Sequence, residues 1–464
     1  MGILSKYNIN RNNPSLIIAL GLLIATRLIT FIAFPNPISS PDSPTYFSSK
    51  FLDFSLVSFT GNAGRGWVVP FIYALLPNSV AVGILQLAIS ATAWCFLLIS
   101  LNQMSLIRRK QNGYLLILLA ALGSSPQIIQ HDTSVLSTSL TNSIFILLLT
   151  ALLRAKYLPK AKELNLFLGT ICAALLMIQK TSFIPIAISL SILLIWFVYK
   201  QISVSTKLAA IALLLCLTAY SGFIGSNVNS NWQISYSGQT LLWHLGGQSP
   251  TADEFSTFLK QRNAPECITA EAPYQNIDTA IGKILNSCPK AQPYLKSEIQ
   301  RDFMNFIVAN PTATSKLAVY GMGASLTSSA TNYGNAVSVL PNSVSDLFFG
   351  TTTPELLDQN ISDQVAGLNV FESGAAFWLS VPFVGWIFLA VATGFMTANV
   401  RREDNPLYAI LGLCIVQSLF VVVLLPSEWV RQTTPFVVGA LIVAAVLSVR
   451  NLQTIFSAER MNGK

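Results

Sequence analysis

Charge is scarce in this chain, and so are the residues that most often build reactive centres. Of 464 residues, 10% are charged and 52% hydrophobic, and the mean hydropathy is +0.56. A soluble protein of this length needs far more charge to cover its surface, so a water-soluble globular fold is excluded. The chain has two histidines and six cysteines, with no CxxC pair, no histidine cluster and no HExxH, which argues against a dedicated zinc site. No GxGxxG is completed around Gly321 and Gly323, which read as small residues that let helices approach closely. There is no internal repeat and no low-complexity tract. The net charge of +8 comes mostly from short basic loops and is not a nucleic-acid signal.

What the chain has instead is a series of apolar runs close to the ~20 residues that cross a ~30 Å hydrocarbon core. Ten spans are expected, at about 14–34, 79–101, 112–128, 136–153, 165–179, 182–198, 207–225, 376–399, 405–425 and 433–449. The first is long and is followed by no small-residue cleavage site, so it reads as a retained span. With a cytoplasmic N-terminus, the basic clusters Arg108–Lys110, Arg154–Lys162, Lys200–Lys207, Arg401–Arg402 and Arg450–Lys464 all fall on the cytoplasmic side. The expected fold is an all-α polytopic membrane protein, with both termini cytoplasmic. Its parts are an N-terminal transmembrane module (1–225), an extracytoplasmic or membrane-surface region (226–375) and C-terminal transmembrane helices (376–464).

Within 226–375, Thr251 to Glu254 matches a helix-capping pattern. Residues 303–330 are apolar enough to lie on the membrane, re-enter it or form an extra helix pair. Cys267 and Cys288 can form a disulfide if that region faces an oxidising compartment. Cys95, Cys172, Cys216 and Cys414 lie in apolar runs and read as small core residues. Arg27 is the exceptional ionisable residue inside a span. It reads equally as half of a structural pair, as a site residue or as the sign of a shifted span.

The polar residues next to spans gather on the extracytoplasmic side. The loop 35–77 carries Asp42, Tyr46, Asn62, Arg65 and Trp67, with Arg65 between two glycines. Asp42 and Tyr46, four apart, share a face if they lie on a helix. The next loop carries Gln130, His131 and Asp132, the turn after the fifth span carries Lys180, Glu372 precedes a span, and the last turn carries Glu428, Trp429 and Arg431. Carboxylates to take a proton, cations to hold a phosphate and aromatics to meet a sugar are what chemistry on an anionic lipid-linked substrate needs. Each residue also has a plainer reading. Asp42 caps a helix, Lys180 anchors a span at the headgroups, His131 and Asp132 form a loop pair, Glu428 and Arg431 pair locally, and His244 is a satisfied side chain in an apolar patch.

The segments PDSPTY, with Asp42 and Tyr46, and GNAGRGWVVPFIYALLP, with Arg65, Pro70 and Pro77, resemble the first extracytoplasmic loop of the GT-C superfamily of integral-membrane glycosyltransferases. IQKTSFIPIAI, with Lys180, resembles the basic residue that opens a middle span in that family. SEWVRQTTPFVVGALIV resembles its closing R-Y-x-x-P span, with Gln432 where Tyr is usual. NPTATSKLAVYG resembles the stretch after its extracytoplasmic helices. The resemblance implies a GT-C-like bundle of about ten or more transmembrane helices with an extracytoplasmic helical region, in a bacterial cytoplasmic membrane.

It further implies transfer of a sugar from a polyprenyl-phosphate donor to a glycan, lipid or protein acceptor, usually with inversion. Asp42 would then be the catalytic base or orient the acceptor. Arg65, Lys180 and Arg431 would hold the donor phosphate, Tyr46 and Glu372 would shape the acceptor side, and His131 would contact substrate. The sequence identifies no cofactor and leaves metal dependence open, since one or two carboxylates could recruit a divalent cation without any motif. The expected partners are the lipid-linked donor, the acceptor and membrane lipids, not nucleic acid. The competing readings are a polysaccharide polymerase or ligase using a lipid-pyrophosphate glycan, a transporter of lipid-linked sugar, and a non-catalytic scaffold.

Overall fold

The computed structural model describes residues 13–33, 35, 37, 68–104, 109–158, 162–199, 202–231, 243–245, 249–271, 288–327, 404–424 and 429–462. All regular elements among them are helical. In chain order they are α1 (Pro14–Ala33), α2 (Val68–Ala74), α3 (Ser79–Gln103), α4 (Arg109–Gly123), α5 (Pro126–Asp132), α6 (Thr138–Tyr157), α7 (Lys162–Gln179), α8 (Ile184–Val198) and α9 (Val204–Asn231). There follow α10 (Ala252–Gln261), α11 (Glu266–Glu271), α12 (Ile299–Ala309), α13 (Pro311–Thr327), α14 (Asn405–Leu424) and α15 (Trp429–Asn462).

Among the described residues, seven helices are long and apolar enough to cross a membrane, and the segments Asn112–Gly123 and Ile184–Val198 are shorter apolar helices. The chain is therefore a multi-pass, all-helical membrane protein over its described residues. The expected span 376–399 lies outside them. The expected span 112–128 is interrupted: α4 stops at Gly123, and Pro126 starts a new short helix, α5, at a position where its missing N–H costs nothing. The last helix runs well past the expected 433–449, to Asn462.

Local signals set several helix starts. Pro14 opens α1, and the Asn13 side chain accepts from the Ser15 N–H at 3.2 Å. Asn78 caps α3 by accepting from the Ala81 N–H at 2.9 Å. Asn310 and Pro311 break α12 from α13, so the described part of 303–330 is helical on both sides of that break. The capping pattern at Thr251 is corrected. Thr251 stands at the N-cap without making a side-chain cap bond, and Glu254 instead accepts from Lys316 Nζ of α13 at 2.6 Å.

Helices α6 and α15 occupy the middle of the bundle, with 89% and 94% of their apolar windows buried, whereas only 11% of that in α9 is. Gly439 makes the central packing close: a Cβ there would lie 2.6 Å from Phe145 of α6 and 3.2 Å from Cys414 Sγ of α14. Gly321 does the same for α13 against Val422 of α14, the close packing expected of that glycine. Cys172 and Cys414 are buried in the bundle and Cys95 is half-buried, but Cys216 is exposed on the outer face of α9 and is not a core residue.

One end of the bundle is clasped by buried polar side chains. Arg154 donates to Asn165 Oδ1 at 3.1 Å, Ser100 Oγ at 3.0 Å and Gln103 Oε1 at 3.0 Å, tying α6, α7 and α3. Arg450 pairs with Asp404 at 2.8 Å and ties α15 to α14. At the other end, α10, α11 and α12 form a separate apolar cluster around Phe255, Leu259, Ile268, Leu295, Phe303 and Phe306. Leu424, the last residue of α14, packs partly against it. Cys267 and Cys288 are joined by a disulfide, as the sequence allowed.

Candidate functional site

The end of the bundle opposite Arg154 is where α6 and α15 begin, where α7 ends and where α8 begins. Helices α6 and α15 run in the same direction. Phe145 of α6 meets Phe436 of α15 edge-on at 5.5 Å between ring centres, and Phe183, just before α8, meets Phe436 at 5.1 Å. These three rings form an apolar floor. One turn nearer the helix starts lie Asn142 on α6 and Gln432 on α15, so both stand above that floor.

The layer above the floor is polar. Lys180 Nζ donates to Gln432 Oε1 at 2.8 Å and lies 5.9 Å from the centre of the Phe183 ring. Thr141 Oγ1 donates to Gln179 Oε1 at 2.8 Å. Gln417 Nε2 donates to the Ser182 carbonyl at 2.8 Å, fixing the 3-10 turn Thr181–Phe183 that follows Lys180. His131 Nε2 lies 3.4 Å from Thr434 Oγ1, so α5 reaches the first turns of α15. Both polar atoms of Asn142, Thr138 Oγ1 and Gln179 Nε2 are buried and have no hydrogen-bond partner among the described residues. A buried polar group left in that state costs about 1–3 kcal/mol.

Helix α5 is held in place by a buried ion pair. Arg27 Nε lies 3.7 Å from Asp132 Oδ2, both side chains nearly inaccessible to solvent. Arg27 also donates to Ser90 Oγ at 2.9 Å, the Gly123 carbonyl at 3.1 Å and the Leu23 carbonyl at 3.3 Å. Ser139 Oγ donates to Asp132 Oδ1 at 2.6 Å. Ser90 lies about 17 Å along α3 from its start at Ser79, so the pair is set deep beneath that end of α3. Of the three readings for Arg27, the structural pair holds. His131 and Asp132 lie on a helix rather than in a loop, and their side chains reach different elements.

Of the site residues expected from sequence, Lys180 and His131 lie in this layer, on the two sides of the Gln432–Thr434 turn. Arg431 is in the first turn of α15, next to Gln432. Asp42, Tyr46, Arg65 and Glu372 lie outside the described residues. The described residues hold no group of three or more metal-binding side chains. The loop 35–77 re-enters the described chain as α2, which packs against α7, the helix ending at Gln179. Its Tyr73 is buried and donates to the Leu136 carbonyl at 2.9 Å, while Gln86 Nε2 donates to Tyr73 Oη at 2.7 Å.

Gln432 was visible in the sequence only as a departure from a motif. The polar run Thr138–Ser143 (TSLTNS) stood at the edge of an apolar span and offered no spacing to read, so Thr138, Thr141 and Asn142 were missed. Gln179 directly precedes Lys180 and Gln417 lies inside an apolar run; both were equally silent.

Comparison with known proteins adds no relative. The chain matches no protein-family model, no curated protein and no solved structure.

Proposed function

We propose that the chain is a membrane glycosyltransferase of GT-C type that moves a sugar from a polyprenyl-phosphate donor to an acceptor outside the cytoplasm, in a bacterial cytoplasmic membrane. One observation carries the reading. The two segments that resemble the family's middle-span cation and its closing motif meet at the Lys180–Gln432 hydrogen bond, across 252 residues of chain. Gln432, where the family has Tyr, keeps a polar partner for the cation. The packing of α2 on α7 supports the same reading, because α2 starts three residues after Arg65 in sequence.

In this mechanism Asp42 accepts the proton of an acceptor hydroxyl as its oxygen attacks the anomeric carbon. The bond from that carbon to the phosphate oxygen breaks, and the polyprenyl phosphate leaves with the electron pair. Lys180, with Arg65 and Arg431, holds the phosphate and stabilises its added charge. Tyr46 and Glu372 shape the acceptor side, and His131 borders the substrate. The apolar bundle leaves the hydrocarbon tail in an environment like the bilayer. The test is turnover in proteoliposomes supplied with polyprenyl-phosphate sugar donors and envelope glycan, lipid and peptide acceptors. Wild-type transfer that is lost in Asp42→Asn and strongly reduced in Lys180→Met supports the proposal. Undiminished transfer by Asp42→Asn would remove the assigned base, and no transfer with any donor would remove the class.

A further inference from the structure

We infer that Asn142, with Thr138 and Gln179, forms an uncharged hydrogen-bonding subsite that takes a hydroxyl-bearing glycosyl group of the substrate. The inference rests on the transferase reading only for the identity of the ligand that brings the sugar; the site itself stands on geometry. All three side chains are at least nine-tenths buried, at 5%, 2% and 8% exposure. All three keep polar atoms with no partner among the described residues. Thr138 and Asn142 are four residues apart and share one face of α6 with Phe145, three further on. That face is turned to α15, since Phe145 touches Phe436 and would meet a Cβ at position 439. Thr138 and Asn142 therefore sit at the Lys180–Gln432 level on the side of α6 that faces α15, and Gln179 joins them from α7 through Thr141.

The chemistry of the open atoms selects the ligand. Asn142 offers one acceptor and an amide donor. Gln179 offers its unpartnered amide N–H donors, while its oxygen lies 2.8 Å from Thr141 Oγ1. Thr138 offers a hydroxyl that can do either. A phosphodiester, as in a prenyl-phosphate sugar, has only acceptors and leaves the Asn142 oxygen unmet, and a hydrocarbon chain meets none of these atoms. Neighbouring sugar hydroxyls both donate and accept, and match the set. The aromatic floor one turn below gives the sugar's C–H face an apolar surface. A site that hydrogen-bonds a hydroxyl in this way discriminates strongly against a ligand lacking it, because its own buried groups are then left unmet.

The test uses the full chain in nanodiscs and follows intrinsic tryptophan fluorescence on heating. The probes are a prenyl-phosphate monosaccharide, the same prenyl phosphate without sugar, and neutral methyl glycosides. The variants are Asn142→Leu, nearly isosteric, and Thr138→Val as a second, milder change. The expected result is that each variant folds at least as stably as wild type, binds the sugar-free prenyl phosphate as wild type does, and loses at least about tenfold in affinity for the sugar-bearing probes. Equal affinity of wild type and both variants for every sugar-bearing probe would overturn the inference and leave the open atoms to ordered water. Methyl glycoside binding that depends on Asn142, in a protein that binds no prenyl phosphate and transfers no sugar, would uphold the subsite and remove the transferase.

Discussion

Lys180 Nζ and Gln432 Oε1 lie 2.8 Å apart, and they join the end of α7 to the start of α15. The Gln432 amide oxygen helps to fix the position of the Lys180 ammonium without itself carrying a charge. Substituting Lys180→Met removes the charge and one charge-assisted hydrogen bond, an interaction of about 1.5–3 kcal/mol. Transfer efficiency should fall about 10- to 150-fold while the protein stays folded. Gln432→Glu should also lower donor affinity, by neutralising the lysine, and should do so more than Gln432→Met. The measurement is kcat/KM for the lipid-phosphate donor, with thermal unfolding as the control; Gln432→Glu with unchanged donor KM would contradict the electrostatic role.

The Arg27–Asp132 pair is a structural device and should respond as one. Removing either partner leaves a buried charge without compensation, which costs about 3–5 kcal/mol. Arg27→Met alone and Asp132→Leu alone should each lower the unfolding temperature markedly, and the double variant should recover much of the loss. Because Asp132 ends the helix that carries His131 to Thr434, the single variants should also reduce turnover. Additive losses in the double variant would mean that the two residues do not act as a pair.

The fold was legible in the sequence to the extent that membrane insertion dictates it. Apolar length and the placement of basic residues marked the helices, because a bilayer demands both. The break at Ser124–Pro126 carries its own signal in Gly123-Ser-Ser-Pro126, but the apolar residues on both sides make a run of spanning length that averages over it, so α4 and α5 read as one span. The candidate site was legible only where a charge stands at a span end, as at Lys180. Thr138, Asn142 and Gln179 are uncharged, and their significance comes from missing partners, a property of three-dimensional packing that no spacing encodes. Arg27 showed itself as a charge in the wrong place, but only the folded bundle identifies Asp132, more than a hundred residues away, as its partner.

The Cys267–Cys288 disulfide makes the orientation testable. It closes a loop of 21 residues of sequence separation, and constraining the unfolded chain in this way stabilises by about 3 kcal/mol. Non-reducing digestion of the protein from native membranes should yield the two cysteine peptides linked. A membrane-impermeant thiol reagent applied from the extracytoplasmic side after mild reduction should label both. Labelling only after the membrane is opened would reverse the proposed orientation and place Lys180 on the wrong side for an extracytoplasmic acceptor.

His244 gives the helical region beyond α9 a dependence on acid. Its ring is fully buried, stacked at 4.2 Å on Phe303 and edge-on to Phe255 at 6.3 Å. Burial among these rings pushes its pKa down to about 3, and the nearby Leu424 carbonyl only partly offsets that cost. The folded state therefore holds the neutral imidazole, while the unfolded chain takes up a proton near the ordinary value of 6.5. Stability from this group is complete above about pH 6.5 and is lost progressively as pH falls toward about 3. The full loss amounts to several kcal/mol, on the order of 3–5. Unfolding temperature measured between pH 8 and pH 4 should fall for wild type, and His244→Leu should flatten that dependence while keeping the neutral-pH stability within about 1.5 kcal/mol. Since Leu424 ends α14 and packs on this cluster, proteolytic cleavage just after Leu424 should rise in parallel as the wild type is acidified, and should not rise in the leucine variant.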